Sequence, residues 1–440
     1  MGGQTWRVET KRVEALVSVG ARYVGRAPAF EVGPPWWSEV EGVTRRLDEL
    51  LGVRTVVLRL VHADEAEIGR GGRTVYHVQA MGEPRAGVLD ETPYDGWDAI
   101  VAPHPLRSTW AEVDGPERIV EWARSFLGPV EPVQVKTWNL SCLLRFPGAW
   151  AKATSRFASV DADIIEHVQR YDETLAPTVL GKSVENRWSL LAHAPGNDCW
   201  EPDRATVENV VSRWVAVQAQ LAAEVDQLTA PRLLPGELAA EVDGLTAPRL
   251  LPGELAAEVD GLTAPRLLPG ELAAEVERLL SVVPLSPQLR ADVEHLLSKL
   301  PSIIAELDTA GLPTTLVHGD FHPGNWRSDG TARAIVDWAD TFIGHPATDI
   351  QRLIGWLPEA KRAHALDVWT TAWKNHVPAA DPERALPPMA VLVRLLYAVM
   401  YQRFLDNIEP TERIYHEDDP ASELRAAVEA YGLRERGVAG

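Results

Sequence analysis

The residues with the strongest chemical character lie in one short stretch, 316–350, which has the sequence LVHGDFHPGNWRSDGTARAIVDWADTFIGHPATDI. A short apolar run ends at His318, and the loop after it contains Asp320 and Asn325. A hairpin turn follows, and the next apolar run ends at Asp337. Polar residues at the ends of apolar strands are held by the sheet and remain open to a cleft, which suits a binding or catalytic site.

Two interpretations of this stretch compete on chemistry alone. In the first, Asp320 accepts a proton from a substrate hydroxyl, and the side-chain oxygens of Asn325 and Asp337 hold Mg²⁺ on nucleotide phosphates. In the second, a hydrolytic transition metal is bound by a histidine-rich set: His318, Asp320, His322 and His345. The second interpretation does not explain why an asparagine ends the loop and an aspartate ends the strand. We therefore favour the first, a phosphotransferase.

A phosphotransferase of this kind also needs a lysine on an upstream strand and an acid on the next helix to hold it. Lys152 meets the first requirement, because it lies on a predicted strand directly after a Pro-Gly turn. Asp161 shares the apolar face of the predicted helix 161–171, whereas Glu166 lies on another face. We predict that Asp161 rather than Glu166 pairs with Lys152.

Taken together, these residues resemble the aminoglycoside phosphotransferase family, relatives of the choline kinases with a protein-kinase-like fold. The resemblance rests on the run 318–325, on Val336-Asp337-Trp338 and on the pattern His345-Pro346-x-x-Asp349, and it covers about residues 133–433. It implies that Asp320 is the catalytic base and that Asn325 and Asp337 are magnesium ligands. It also implies that Asp349 is structural and binds the backbone of the catalytic loop.

The resemblance also implies where the nucleotide is bound. Lys152 would bind its α- and β-phosphates, with Asp161 as the partner of the lysine. The strand 187–191 would lead into a hinge where backbone groups of Ala192 and Ala194 meet the adenine ring. The aspartate at position 161 departs from the family, which usually has a glutamate there.

The predicted function is therefore an ATP-dependent small-molecule kinase that transfers the γ-phosphoryl group to a hydroxyl with Mg²⁺ as cofactor. ATP is the expected donor, and the residues leave GTP open. Aminoglycosides, other amino sugars, choline-like alcohols and sugars all fit as acceptors. The alternative is a non-catalytic, nucleotide-sensing binding module with a kinase-like fold. Its weakness is that a catalytically dead protein has no need to keep Asp320, Asn325, Asp337 and Lys152.

The predicted fold class is α+β, with a bilobal protein-kinase-like fold. A small antiparallel-sheet lobe is predicted at 131–196 and a large helical lobe at 197–440. An extra α+β module of unknown role precedes them at 1–130. The helical lobe is interrupted at 221–276 by a tandem repeat of 17 residues, LAAEVDGLTAPRLLPGE, whose copies are almost identical. Near-identity indicates recent duplication, so we interpret the repeat as a tolerated insertion.

Composition limits the classes of partner. The formal net charge of −20 argues against nonspecific binding of nucleic acid. No run of 18 apolar residues is present, so no membrane span is expected. The two cysteines, Cys142 and Cys199, are too few for a disulfide framework, and no signal peptide is recognised in the first 20 residues. We expect a cytoplasmic protein whose partner is a small-molecule hydroxyl acceptor.

Overall fold

The structure is a computed structural model that describes residues 10–64, 69–227 and 269–436. Most of the tandem repeat at 221–276 lies outside these residues. The prediction that the repeat is a tolerated insertion therefore concerns residues that the structure does not describe. The chain divides into two compact units. The sheet unit contains Met1–Arg156, Leu180–His193 and Phe404–Glu417, and the helical unit contains Phe157–Val179, Ala194–Arg403 and Asp418–Gly440. The predicted domain limits at residues 130 and 196 stay predictions.

The first sheet of the sheet unit has the strand order β2-β1-β5-β4, with β3 paired to β1. Its strands are β1 (Lys11–Val19), β2 (Arg22–Arg26), β3 (Phe30–Val32), β4 (Thr55–Asp64) and β5 (Arg73–Ala80). Strands β1 and β5 are parallel, and the other paired strands of this sheet are antiparallel. Helix α1 (Glu41–Leu51) packs Val43, Leu47 and Leu51 into the core of this sheet. Residues 37–40, directly before α1, are not helical.

The segment between the two sheets is partly helical. Residues 83–116 show little periodicity, yet helix α2 (Trp97–Val101) lies within them and α3 (Gly115–Leu127) begins at their end. Helix α3 has a proline in its first turn, where a missing N–H costs nothing, and it ends at Gly128 with φ of 77°. Its buried residues Ile119, Val120 and Ala123 pack against the second sheet.

The second sheet has the order β6-β7-β8-β10-β9. Its strands are β6 (Val133–Thr137), β7 (Ser141–Phe146), β8 (Ala149–Thr154), β9 (Val179–Ser183) and β10 (Trp188–Ala192). The central strand β8 alternates, with Ala149, Ala151 and Ala153 in the apolar core. Lys152 therefore points to the opposite face, on the strand where the sequence placed it, and it is 7% exposed.

The helical unit is built from eight helices in its described residues. They are α4 (Asp161–Gln169), α5 (Arg204–Leu221), α6 (Pro269–Val282), α7 (Pro287–Asp308), α8 (Ala347–Trp356), α9 (Glu359–His376), α10 (Pro382–Asp406) and α11 (Asp419–Glu435). Asp203 caps the N-terminus of α5, because its carboxylate accepts a hydrogen bond of 2.7 Å from the backbone N of Thr206. The apolar face of α5 is buried.

Short strands connect the helices of this unit. Strand β12 (Thr315–Val317) pairs with β15 (Phe342–Gly344), and the hairpin of β13 (Trp326–Ser328) and β14 (Arg333–Ile335) lies between them in sequence. Strand β11 (Asn197–Asp198) adds to the edge of β13. One unit rich in antiparallel sheet and one rich in helix together confirm the predicted α+β class.

Helix α10 is the one helix in the described part of the chain that is long and apolar enough to cross a membrane. However, 61% of its most apolar window is buried inside the structure. The core helix of a globular protein has the same properties, so a single helix of this kind is weak evidence for a membrane span.

Candidate active site

The loop that carries Asp320 is fixed by the pairing of the strands around it. Strand β12 ends at Val317, and its partner β15 begins at Phe342, so residues 318–341 form a single excursion from one strand pair. Gly319 has a φ of 81°, and a Cβ at this position would lie 2.1 Å from the backbone oxygen of Asp340. Only glycine satisfies both conditions, which explains the residue before Asp320.

Asp349 holds the start of this loop from the first turn of α8. Its Oδ2 accepts hydrogen bonds from the backbone N of His318 at 3.0 Å and from the side chains of Trp214 at 2.8 Å and Gln218 at 3.1 Å. Its Oδ1 accepts from the backbone N of Gly319 at 3.1 Å. Burial raises the pKa of Asp349 to about 6, although the four donors act in the opposite direction. The structural role predicted for Asp349 is confirmed.

The carboxylate of Asp320 is surrounded by hydrogen-bond donors. Oδ1 accepts from both Nε of Arg352 at 3.0 Å and Nη2 of Arg352 at 2.8 Å. Oδ2 accepts from Nδ2 of Asn325 at 3.0 Å and from Nε2 of His322 at 3.2 Å. The donor role of His322 follows from its other nitrogen, Nδ1, which accepts from the backbone N of Gly324. The four donors fill the roughly four lone-pair positions of the carboxylate.

These contacts also fix the charge of Asp320. Burial alone would raise the pKa of its carboxyl, but the hydrogen bond from His322 and the charge of Arg352 outweigh burial. The pKa of Asp320 therefore lies well below its usual range, and the carboxylate is charged at neutral pH. The side chain is still 22% exposed, so a substrate can reach it.

The β13–β14 hairpin brings Asn325 and Asp337 to the same end. Trp326 pairs with Ile335, and beyond this pair the backbone N of Val336 donates to the oxygen of Asn325 at 2.8 Å. Asp337 follows directly and has a φ of 64°, in the left-handed region that non-glycine residues rarely occupy. Such strained positions are concentrated at functional sites.

The residues of this hairpin end fit a magnesium ion by the chemistry of their donor atoms. Nδ2 of Asn325 donates to both the backbone oxygen and Oδ2 of Asp320, which turns Oδ1 of the amide away from the loop. Within the residues that the structure describes, no donor binds that Oδ1. An amide oxygen, together with a carboxylate on Asp337 at the same hairpin end, matches the preference of Mg²⁺ for oxygen ligands.

The transition-metal interpretation is not supported by the geometry. The described residues contain no group of three or more His, Cys, Asp or Glu side chains that could hold a metal ion. His318 is fully buried, its Nε2 donates to the backbone oxygen of Val336 at 3.1 Å, and its Nδ1 accepts from the backbone N of Asp320. Burial lowers the pKa of His318 to about 4, so it is neutral. These two hydrogen bonds give His318 a structural role in the loop.

The remaining predicted site residues lie in different parts of the two units. Asp161 begins α4 in the helical unit, is fully buried, and its Oδ1 accepts a hydrogen bond of 2.9 Å from the backbone N of Trp338. Its inward orientation is therefore confirmed, whereas Glu166 is exposed. Lys152 on β8 and Ala192 at the end of β10 belong to the sheet unit, and Ala194 belongs to the helical unit. The pairing of Lys152 with Asp161 and the adenine contacts stay predictions.

The contact of Arg352 with Asp320 was not predicted from the sequence. Asp349, Arg352 and Trp356 lie on one face of α8, at the i, i+3 and i+7 positions. This spacing was visible in the sequence and could have indicated that Arg352 reaches the loop that Asp349 holds. Tyr397 on α10 was also missed, and its hydroxyl donates to the backbone oxygen of Gly319 at 2.9 Å.

Comparison with known proteins adds to this geometry. A family model described as the phosphotransferase enzyme family matches residues 161–387, slightly more than half of the chain. The chain belongs to the phosphotransferase enzyme family. The match includes Asp320, Asn325, Asp337 and Arg352, whereas it begins after Lys152. No curated protein matches the sequence of this phosphotransferase.

Solved structures that match this chain have low sequence identity to it. A choline/ethanolamine kinase family protein from Mesorhizobium loti is 14% identical, with 76% of this chain and 98% of that chain covered and a TM-score of 0.41. The macrolide 2'-phosphotransferase MphH from Brachybacterium faecium is 15% identical, with 71% and 96% covered and a TM-score of 0.42. The choline kinase LicA from Streptococcus pneumoniae is 11% identical, with 72% and 99% covered and a TM-score of 0.46.

Proposed function

We propose that the chain transfers the γ-phosphoryl group of ATP to a hydroxyl of a small molecule, with Asp320 as the catalytic residue. The observation that carries this proposal is the convergence of Asp320, Asn325 and the strained Asp337 on one loop and hairpin end. ATP rather than GTP is the proposed donor by resemblance. The proposed nucleotide contacts of Lys152, Asp161, Ala192 and Ala194 rest on that resemblance as well.

The low pKa of Asp320 defines how it would act. A carboxylate this acidic is a weak base, so its main role is to accept a hydrogen bond from the acceptor hydroxyl and orient the oxygen toward the γ-phosphorus. As the new oxygen–phosphorus bond forms, the bond from the γ-phosphorus to the bridging oxygen breaks and ADP leaves. The hydroxyl proton passes to Asp320 late in this step and is then released to solvent.

The acceptor hydroxyl must replace one of the four donors around Asp320. The contact from Nε2 of His322, at 3.2 Å, is the longest of the four, so His322 is the donor most easily displaced. Arg352 would stay in place and keep the carboxylate oriented. A bound Mg²⁺ held by Asn325 and Asp337 would neutralise charge on the nucleotide phosphates.

Two measurements on purified full-length protein test this function. Mg²⁺-ATP and Mg²⁺-GTP should raise the melting temperature, because a nucleotide that binds only the native state stabilises it. ADP release should then depend on an added hydroxyl compound. Asp320→Ala should lower turnover roughly 10²–10⁴-fold while nucleotide binding is retained. Asp367→Ala, which alters an exposed acid on α9, is the matched control. Unchanged turnover in Asp320→Ala would disprove the assignment.

A further inference from the structure

A cavity of about 310 Å³ opens in the helical unit beside the catalytic loop. It lies between the C-terminal half of α8, the middle of α10 and the start of α11. The charged and aromatic side chains that line it are Arg352, Trp356, Arg394, Tyr397, Tyr401 and Glu423. Its volume is at the small end of the range for ligand pockets, about 300–1,000 Å³, so it suits a small molecule.

Two residues connect this cavity directly to the catalytic loop. Arg352 lines the cavity and donates two hydrogen bonds to Oδ1 of Asp320. Tyr397 also lines it and donates to the backbone oxygen of Gly319, the residue before Asp320. A molecule in the cavity would therefore contact Arg352, whose side chain is hydrogen-bonded to the Asp320 carboxylate.

The charged side chains that line the cavity are two arginines, Arg352 and Arg394, and one glutamate, Glu423. Arg394 donates through Nη1 to both oxygens of Glu423, at 3.5 and 3.2 Å. Its Nε and Nη2 have no acceptor among the described residues, and neither does Nη1 of Arg352. The Arg394 side chain is 38% exposed and that of Glu423 only 15%, so the arginine is the more accessible member of the pair. Guanidinium donors of this kind suit planar oxyanions.

The aromatic side chains do not favour a cationic ligand. The guanidinium of Arg352 lies over the ring of Trp356 at 5.4 Å and over the ring of Tyr397 at 5.0 Å. One face of each ring is therefore already occupied by a cation. An amine or quaternary ammonium that entered would meet two guanidinium groups and one carboxylate, which already has an arginine partner.

We propose that this cavity is the acceptor site and that the acceptor is an alcohol carrying an oxyanion group, such as a carboxylate, which Arg394 binds. The inference rests on the proposed phosphotransfer to a hydroxyl and names the class of acceptor. The oxyanion binds the free Nε and Nη2 of Arg394, and the apolar part of the acceptor contacts Trp356. The hydroxyl then reaches Asp320 past Arg352.

The first test measures binding to the full-length protein without nucleotide by titration calorimetry. The probes are D-glucuronate, D-glucose and D-glucosamine, which share a sugar ring but carry a carboxylate, no charge and an ammonium group. A second set, glycerate, glycerol and 3-amino-1,2-propanediol, repeats the comparison on a three-carbon skeleton. In at least one set the anion should bind about tenfold or more tightly than its neutral and cationic counterparts. Tighter binding of a cation, or no binding of either anion, would overturn the proposal.

The second test replaces each member of the Arg394–Glu423 ion pair in turn, and the two replacements should change the affinity for the anion in opposite directions. Arg394→Gln should weaken binding of the anion about tenfold, because a charged donor pair is lost. Glu423→Gln releases Arg394 from its partner and should strengthen anion binding about threefold. A purely structural ion pair would give weaker binding in both variants, and that result would contradict the proposal. Arg394→Lys, which keeps the charge without the planar fork, should give an intermediate affinity.

The proposal about the cavity and the proposed phosphotransfer can fail independently of each other. If ADP release never depends on an added alcohol but the anions bind with the expected response to Arg394→Gln, the phosphotransfer proposal fails and the oxyanion site stands. If ADP release depends on a cationic alcohol that binds in this cavity, the phosphotransfer proposal stands and the acceptor class is wrong.

Discussion

Arg352 donates from both Nε and Nη2 to the same oxygen of Asp320, at 3.0 and 2.8 Å. Of the two oxygens, Oδ1 is thus bound entirely by a fixed cation, while Oδ2 is bound by Asn325 and by the longer contact from His322. Arg352 thus orients the carboxylate through Oδ1, whereas a donor to Oδ2 can be exchanged for another. An aspartate that must present one lone pair to an acceptor hydroxyl benefits from this asymmetry.

Replacement of Arg352 should change the pH dependence of turnover. Because Arg352 helps to hold the pKa of Asp320 below its usual range, wild-type turnover should not fall through protonation of Asp320 between pH 7 and pH 5. Removal of an adjacent opposite charge typically raises a carboxyl pKa by roughly 1–3 units. In Arg352→Met the acid limb of the kcat/KM profile should therefore move to higher pH.

The charge-conserving variant separates electrostatics from geometry. Arg352→Lys keeps the positive charge but loses the paired donors, so it should lower turnover with a smaller shift of the acid limb than Arg352→Met. An identical pH profile in the wild type and both variants would show that Asp320 does not control the acid limb.

Asp337 should determine the magnesium dependence of nucleotide binding. Asp337→Asn removes one negative charge from the predicted ligand set, so the Mg²⁺ concentration needed for half-maximal ATP binding should rise about tenfold or more. Titration of Mg²⁺ at fixed ATP, followed by melting temperature, measures this change. Asp329→Asn is the matched control, because Asp329 lies in the turn of the same hairpin and its Oδ1 accepts from the backbone N of Thr331 and Ala332. Equal shifts in both variants would argue against a ligand role for Asp337.

Much of this site could be predicted because its residues are close in sequence. Asp320 and Asn325 share one loop, and the short hairpin after it returns the chain to Asp337, so strand ends and spacing were sufficient. Arg352 was not predicted, because its contact with Asp320 depends on how α8 packs against the loop. Spacing within α8 places Arg352 on the face of Asp349 but does not say what that face meets.

The strands before residue 33 show how a buried charge can hide a sequence pattern. Strand β1 has the sequence KRVEALVSV, and Lys11 occupies an inward position that an apolar residue would normally fill. Its Nζ donates to the backbone oxygens of Trp36 at 2.6 Å and Glu39 at 2.5 Å, which offsets the cost of burial. Burial also lowers the pKa of Lys11 to about 7. The pattern of residues in this segment does not indicate that two backbone carbonyl oxygens from residues 36 and 39 bind the buried lysine.

Asp349 should be one of the most stabilising residues of the helical unit. Asp349→Ala leaves the backbone N–H groups of His318 and Gly319 and the indole N–H of Trp214 buried without their acceptor. Gln218 loses one of its two bonds and keeps the bond to the backbone oxygen of Leu316. We expect a loss of about 3–5 kcal/mol in the free energy of unfolding, measured by urea denaturation. Asp349→Asn keeps one oxygen and should cost less. A loss in Asp349→Ala as small as the roughly 0.5 kcal/mol expected for an exposed acid would show that the loop is held by other contacts.

Asp161 and Glu166 give a comparison within a single helix. Oδ1 of the buried Asp161 accepts the backbone N–H of Trp338, the residue after Asp337, so Asp161→Ala leaves that N–H unsatisfied and loosens the hairpin end. We expect about 1–3 kcal/mol of destabilisation and weaker Mg²⁺-ATP binding. Glu166→Ala alters an exposed position five residues later and should change both quantities little. Urea denaturation and ATP titration of the two variants measure the difference. A larger loss of ATP binding in Glu166→Ala would make Glu166 the helical acid that serves the nucleotide, and it would leave Asp161 with the Trp338 contact alone.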